Sequence, residues 1–331
     1  MKFIFIFIII FTFSNAKSED FTKKQEVKEF INTFSKNSNY TKGELIKLFS
    51  KVDIQNFSLE YYSKELKKDF EIKGDFIGSW DKYEKKIINK KRIEDGVKYI
   101  KENRKYFIKA QKIYNIPSTY IASIIGVESL YGANTGKQNV FDVLATLAFK
   151  ENRRNKFFKK ELEEYLLVAK KNKIDLSKQK GSFAGAIGLT QFMPTNIKAY
   201  AVDFDKNGKI DLNSSADAIG SVANFLKKHG WNSHIPVATR VSYIGTRFSK
   251  YETGLKHKYN RIDLKGIKPK SEKFFYKNEV YLLKLSRKDY DELWYGTKNF
   301  KVLTNYNRSV YYAMSIYQLA KEIRKEYLNS K

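Results

Sequence analysis

The chain has 331 residues, 42% of them hydrophobic, a formal net charge of +27 and no cysteine. That length suits a sizeable core with one or two smaller subdomains, and the missing thiol excludes disulfides, a cysteine nucleophile and a lipid anchor built on cysteine. The charge is spread from end to end without a finger or basic region, which argues against a nucleic-acid reader and leaves either attraction to anionic polymers and membrane surfaces or the lysine bias of an AT-rich genome.

Residues 1–16 open with Lys2, run apolar over 3–13 apart from Thr12, and end in Ser14-Asn15-Ala16. This is the pattern of a secretory signal peptide, and the run is short for a bilayer span. It implies an exported, soluble, periplasmic protein with no stable membrane anchor; a monomer is the separate expectation. Residues 17–114 read as an N-terminal helical subdomain. Val27, Phe30, Ile31 and Phe34 recur at helical spacing, and the pattern returns over 44–57 and 93–114, with a turn at 74–81. Residues 115–235 are denser in apolar residues and glycine and read as the core. Asn115-Ile116-Pro117 ends one helix, Ser118 or Thr119 can cap the next, and that helix, 120–131, stops at Gly132. Further helices are predicted at 157–171 and 217–229, with a glycine-rich loop at 181–188 between them. Residues 236–300 carry strand-like segments at 241–248 and 279–285 and read as a small β-containing insert. Residues 301–331 end in a helix over 311–327 whose Ala313, Ile316, Tyr317 and Ala320 share a face that packs back on the core. The fold class is α+β, mainly α.

Glu128 stands in Gly126-Val127-Glu128-Ser129-Leu130-Tyr131-Gly132, with Ile121, Ile124 and Ile125 on its own helical face. A carboxyl on an apolar stripe is either the partner of a buried base or, with its pKa raised by desolvation, a general acid. The loop from Gly181 through Gln191-Phe192-Met193-Pro194-Thr195 either lets backbone approach a ligand, with Gln191 bonding an acetamido group or hydroxyl, or is a tight packing loop with an N-cap near Thr195. Asn305-Tyr306-Asn307-Arg308-Ser309 is polar, turn-like and aromatic. Asp203, Asp205, Asn207, Gly208 and Lys209 match the start of an EF-hand loop, Lys209 through its carbonyl, although Ser214 replaces the usual glutamate. That loop is either a structural calcium site or a solvated acidic turn. The histidines His229, His234 and His257 show no zinc spacing.

In this order, the motifs resemble the lytic murein transglycosylase B family. The resemblance is dense from Ile116 to Trp231, including the helix from Asp217 to Asn224 and on to His229-Gly230-Trp231, and looser near Trp80-Asp81-Lys82-Tyr83 and over 295–319, with Tyr306-Asn307. It implies a lysozyme-like helical catalytic core acting on peptidoglycan strands, with Glu128 as acid and then base. Ser182, Gln191, Tyr306, Asn307 and Tyr312 would line the glycan groove, and Asp217 would close a lengthened metal loop over 203–217. Phe225 departs from the family's tyrosine and removes a hydroxyl from that subsite.

No second acid accompanies Glu128 in these motifs, so a two-carboxylate hydrolysis is not indicated. The implied reaction needs no cofactor: the C6 hydroxyl of MurNAc attacks its own C1 and leaves a 1,6-anhydro ring. A hydrolytic muramidase and a non-catalytic peptidoglycan-binding scaffold are the alternatives.

Overall fold

Helices form where apolar residues recur at three and four, and strands where the recurrence shortens to two. A computed structural model describes residues 18–63 and 76–330; the signal peptide expected at 1–16 lies outside the described residues. The helices are α1 (Gln25–Lys36), α2 (Lys42–Phe49), α3 (Asn56–Tyr62), α4 (Ser79–Ile87), α5 (Lys90–Glu102), α6 (Arg104–Tyr114), α7 (Ser118–Ser129), α8 (Val140–Phe149), α9 (Asn155–Asn172), α10 (Pro194–Tyr200), α11 (Ser215–Lys228), α12 (Lys298–Tyr306) and α13 (Val310–Asn329). The strands are β1 (Ser18–Glu19), β2 (Val52–Asp53), β3 (Gln138–Asn139), β4 (Lys180–Gly181), β5 (Ala238–Tyr243), β6 (Ile267–Pro269), β7 (Tyr281–Ser286) and β8 (Asp291–Gly296).

The described chain divides into two compact units, one of residues 18–63 and 132–218, the other of 76–131 and 219–330. This division cuts across the contiguous segments expected from composition, because the chain leaves each unit and returns to it. In the first unit, α8 buries every residue except Asp142 and packs on α9. Phe30, Phe49, Phe141 and Phe149 meet edge to face at 5.3–5.8 Å, an arrangement favoured by the ring quadrupole. The helix expected over 44–57 is two helices. α2 ends at Phe49, and β2 pairs antiparallel with β1 before α3 begins.

In the second unit α13 packs on α7 and α5. The pattern over 93–114 breaks at Asn103, whose backbone and side chain both donate to the Tyr99 carbonyl. The sheet runs β6-β5-β8-β7, with all pairs antiparallel. The strand expected over 241–248 lies earlier. β5 stops at Tyr243, and a short 3-10 helix, Arg247–Lys250, follows. Arg287, in the turn joining β7 to β8, bonds Asp81 and Glu84 of α4 and Glu292 of β8, fixing the hairpin to that helix.

Candidate active site

The residues that hold Glu128 begin with how α7 stops. Pro117, not Ser118 or Thr119, is its N-cap, and Ile121 through Gly126 are buried. At the other end Leu130 and Tyr131 both adopt the left-handed conformation, with φ of 53° and 59°. Side-chain-bearing residues enter that region only when the surroundings over-determine it. Here the Tyr131 ring folds back against its own helix, and its hydroxyl donates to the Arg92 carbonyl at 2.8 Å. Two glycines make room for it. A Cβ on Gly126 would lie 2.4 Å from the ring, and one on Gly96 of α5 would lie 2.6 Å from the hydroxyl. The ring thus fixes the turn of α7 that carries Glu128.

Glu128 is half-buried. Its Oε1 accepts a hydrogen bond from the Tyr312 hydroxyl at 2.6 Å. Tyr312 is buried in the first turn of α13, and its backbone N–H donates to the N-cap Ser309. The Tyr306 ring stacks on Tyr312 at 6.4 Å, and Phe225 packs against Tyr306 at 4.8 Å. Tyr306 is the last residue of α12 and Asn307 its C-cap, so the segment expected as a loop is a tight link between two helices. That link brings Tyr306 and Tyr312 together over the carboxyl.

Burial pushes the Glu128 carboxyl up to about 7, while the Tyr312 hydrogen bond pulls it down. Burial first, and then the Glu128 charge, holds the Tyr306 and Tyr312 phenols well above 10. Tyr83 of α4, hydrogen-bonded to Ser315, is pushed up to about 12 by burial and then by Glu128. These phenols therefore stay neutral and can serve as donors. Among the described residues no basic side chain perturbs Glu128, so the ion-pair reading of this carboxyl is not the one found. Tyr83 and Tyr131 stand in the sequence motifs but are given no role by the sequence; Tyr83, distant in the chain, has no local pattern that ties it to the carboxyl.

Ser182 and Gln191 stand in the other unit, where much of their polarity holds the loop itself. Ser182 Oγ accepts from the amides of Ala184 and Ala186 at 3.3 and 3.1 Å. Gln191 Nε2 donates to the carbonyls of Thr135 and Gly188 at 3.1 and 2.9 Å, leaving its carbonyl oxygen as the acceptor it can offer a ligand. The loop glycines make room for neighbouring protein: a Cβ on Gly181 would meet the Ala186 carbonyl at 2.4 Å, and one on Gly185 the Leu144 side chain at 2.6 Å. A Cβ on Gly188 would meet the Leu212 carbonyl at 2.4 Å. Thr195 caps nothing; its amide and hydroxyl donate to buried Glu161, and Met193 is the N-cap of α10.

In the same unit, carboxylate oxygens of Asp203, Asp205 and Asp217 lie within 4.8 Å of one another. Asp217 is buried and accepts from the amides of Phe204 and Asp211 at 2.7 and 2.8 Å. Asp203 accepts from Asn207 and Gly208, and Asn207 from Lys209. Burial, with Asp205's charge adding to it, raises the Asp217 carboxyl. Three hard oxygen donors converging in a turn suit a calcium-sized cation, which would relieve that repulsion.

The model of the Transglycosylase SLT domain matches residues 22–321. Membrane-bound lytic murein transglycosylase B of Escherichia coli K12 is 38% identical over 248 residues, 74% of this chain and 68% of that protein. The E. coli lytic transglycosylase Slt35, solved in complex with bulgecin A, superimposes with a TM-score of 0.86 at 33% identity, over 95% of this chain and 97% of that one. Slt35 has also been solved in complex with calcium, with the same TM-score at 32% identity and the same coverage. SltB3 of Pseudomonas aeruginosa, in complex with NAG-anhNAM-pentapeptide, superimposes at 0.75 with 25% identity, over 91% and 80% of the two chains.

A mainly helical, lysozyme-like fold with these matches defines a lytic transglycosylase, an enzyme that cleaves peptidoglycan. The chain belongs to the SLT-domain family of lytic transglycosylases that includes murein transglycosylase B and Slt35. Among the described residues no helix is long and apolar enough to cross a membrane.

Proposed function

We propose that Glu128 is the acid and then the base of a non-hydrolytic cleavage of the MurNAc-β-1,4-GlcNAc bond. The observation that carries this reading is the Glu128 carboxyl, held by the Tyr312 hydroxyl on its Oε1 and raised by burial to about 7. Protonated Glu128 gives its proton to the leaving GlcNAc oxygen as the C1–O bond breaks. The MurNAc 2-acetamido group stabilises the oxocarbenium-like centre. The Glu128 carboxylate then takes the proton of the MurNAc C6 hydroxyl, whose oxygen bonds to C1. The product ends in 1,6-anhydroMurNAc, no water is consumed, and Glu128 is again protonated. Tyr312 steadies the charge on Glu128 between the two proton transfers. A reaction that reuses Glu128 for both proton transfers needs no second carboxylate, unlike a two-carboxylate hydrolysis. SltB3 has been solved with NAG-anhNAM-pentapeptide as well as with NAG-NAM-pentapeptide, and the anhydro form is the product expected on this reading.

On this reading Ser182, Gln191, Tyr306, Asn307 and Tyr312 bind the glycan, Gln191 through its free carbonyl. Asp203, Asp205, Asn207, the Lys209 carbonyl and Asp217 hold a structural calcium, as the calcium complex of Slt35 suggests. Residues 1–16 direct export to the periplasm, and cleavage there leaves a chain without a cysteine-borne lipid.

Mass spectrometry of fragments released from purified peptidoglycan, wild type beside Glu128→Gln, tests the chemistry. Anhydro-ended fragments from wild type alone are expected. Reducing ends would assign a muramidase, and binding without release by either protein would assign a scaffold.

A further inference from the structure

Two loops beside the β6-β5-β8-β7 sheet, residues 244–266 and 270–280, present apolar side chains that the sheet's own core does not use. Val241, Ile267, Val280, Leu282, Leu293 and Tyr295 belong to that core. Ile262 and Phe275 are nonetheless 84% and 79% exposed, and Ile244 is 65% exposed. Isolated exposed apolar residues are ordinary, whereas neighbouring ones rimmed by charge mark an interaction surface. Ile262 and Phe275 lie on neighbouring loops, whereas Ile244 follows the opposite end of the strands. Arg261, beside Ile262, donates to the carbonyl of Tyr276, beside Phe275, at 2.8 Å. The Tyr251 hydroxyl ties down the loop that carries Ile262, donating to the Asp263 carbonyl and accepting from the Lys265 amide.

The rim is basic. Residues 244–279 hold ten Lys and Arg against four Asp and Glu, and Lys265, Lys268, Lys273 and Lys277 are exposed around the apolar tips. A second copy of so basic a surface would be repelled. An anionic bilayer matches both halves of the patch: the apolar tips enter the headgroup boundary, and the lysines meet lipid phosphates, each worth about a fivefold gain in affinity.

We propose that the two loops carrying Ile262 and Phe275 form a peripheral membrane-binding surface that seats the enzyme on anionic phospholipid, independently of its glycan chemistry. The test is sedimentation of the chain lacking residues 1–16 with vesicles of phosphatidylcholine, with and without phosphatidylglycerol, comparing wild type with the Ile262→Ser, Phe275→Ser double variant. Wild type is expected to bind the phosphatidylglycerol vesicles alone, and the double variant to bind them about tenfold more weakly at every salt concentration. Release of fragments from solubilised peptidoglycan should stay at the wild-type rate, showing that the variant is folded. As a direct probe, Phe275→Trp should add a blue-shifted emission component on mixing with the same vesicles. Equal binding by wild type and double variant would reduce the effect to bulk charge and overturn the proposal. So would an absence of wild-type binding, an unshifted emission from the Phe275→Trp variant, or a concentration-dependent dimer abolished by the double variant.

Discussion

Glu128 and the Asp203, Asp205, Asp217 cluster, one in each compact unit, show two opposite uses of carboxyl groups. Glu128 has phenols around it and one hydroxyl donor on Oε1, and burial raises it to about 7. The aspartates crowd within 4.8 Å, and backbone amides hold them in place. The first arrangement keeps a proton available for transfer. The second fixes negative oxygens where only a cation can balance them. Burial acts on Glu128 and Asp217 alike; the number of like charges nearby separates a proton donor from a metal cradle.

Removing the proton tests this contrast most severely. Glu128→Gln keeps the shape and should lower kcat/KM for fragment release by at least about a thousandfold, roughly 4 kcal/mol in the barrier. A variant within tenfold of wild type would move the acid elsewhere. The cluster should respond to metal instead. Calcium at about a hundred times its Kd should add about 2.7 kcal/mol of stability, read as a rise in Tm of several degrees. Asp205→Asn removes an exposed member and should abolish most of that rise while leaving metal-free Tm nearly unchanged. An undiminished rise would place the cation at other ligands.

Much of this contrast was legible in the sequence. The isoleucine stripe marked Glu128 as buried, and the spacing of Asp203, Asp205 and Asn207 marked the loop, because both patterns are local. The phenols around Glu128 were legible only in part. Tyr306 and Tyr312 came through their motif, whereas Tyr83 reaches the carboxyl from a distant helix. Ser182 and Gln191 were identified as polar groups, but the sequence could not show that the Gln191 amide protons already serve Thr135 and Gly188. Helix α8 carries no stripe to detect, since it is apolar almost all round. The two units escaped a contiguous reading because contacts, not composition, define them.

Unlike the aspartates, which backbone amides hold, Glu128 depends on a rigid aromatic support. Gly126→Ala drives a Cβ into the Tyr131 ring and should cost about 2 kcal/mol in chemical denaturation, as overpacking does. Combining it with Tyr131→Ala removes the obstacle, so the double variant should be more stable than the sum of the single effects. Additive losses would mean that the ring is not what Gly126 accommodates.

The smallest effect tests the carboxyl's single strong donor. Tyr312→Phe keeps the ring but removes the hydrogen bond that pulls Glu128 down, so the carboxyl should titrate about one pH unit higher, or about 1.4 kcal/mol. The acid works protonated, so the alkaline limb of kcat/KM, near 7 in the wild type, should move up by that unit. A weaker acid should also lower the plateau by roughly threefold to tenfold. Stability should follow the same sign. Folded Glu128 holds its proton more tightly than the unfolded carboxyl near 4.5, so its contribution is full below that value and is lost as pH rises through about 7. In Tyr312→Phe the loss should be larger on the alkaline side, because the charged form is left without its donor. A lower plateau with an unmoved alkaline limb would make Tyr312 a contact of the substrate alone, and the proton held by Glu128 would then be set by burial without help from the phenol.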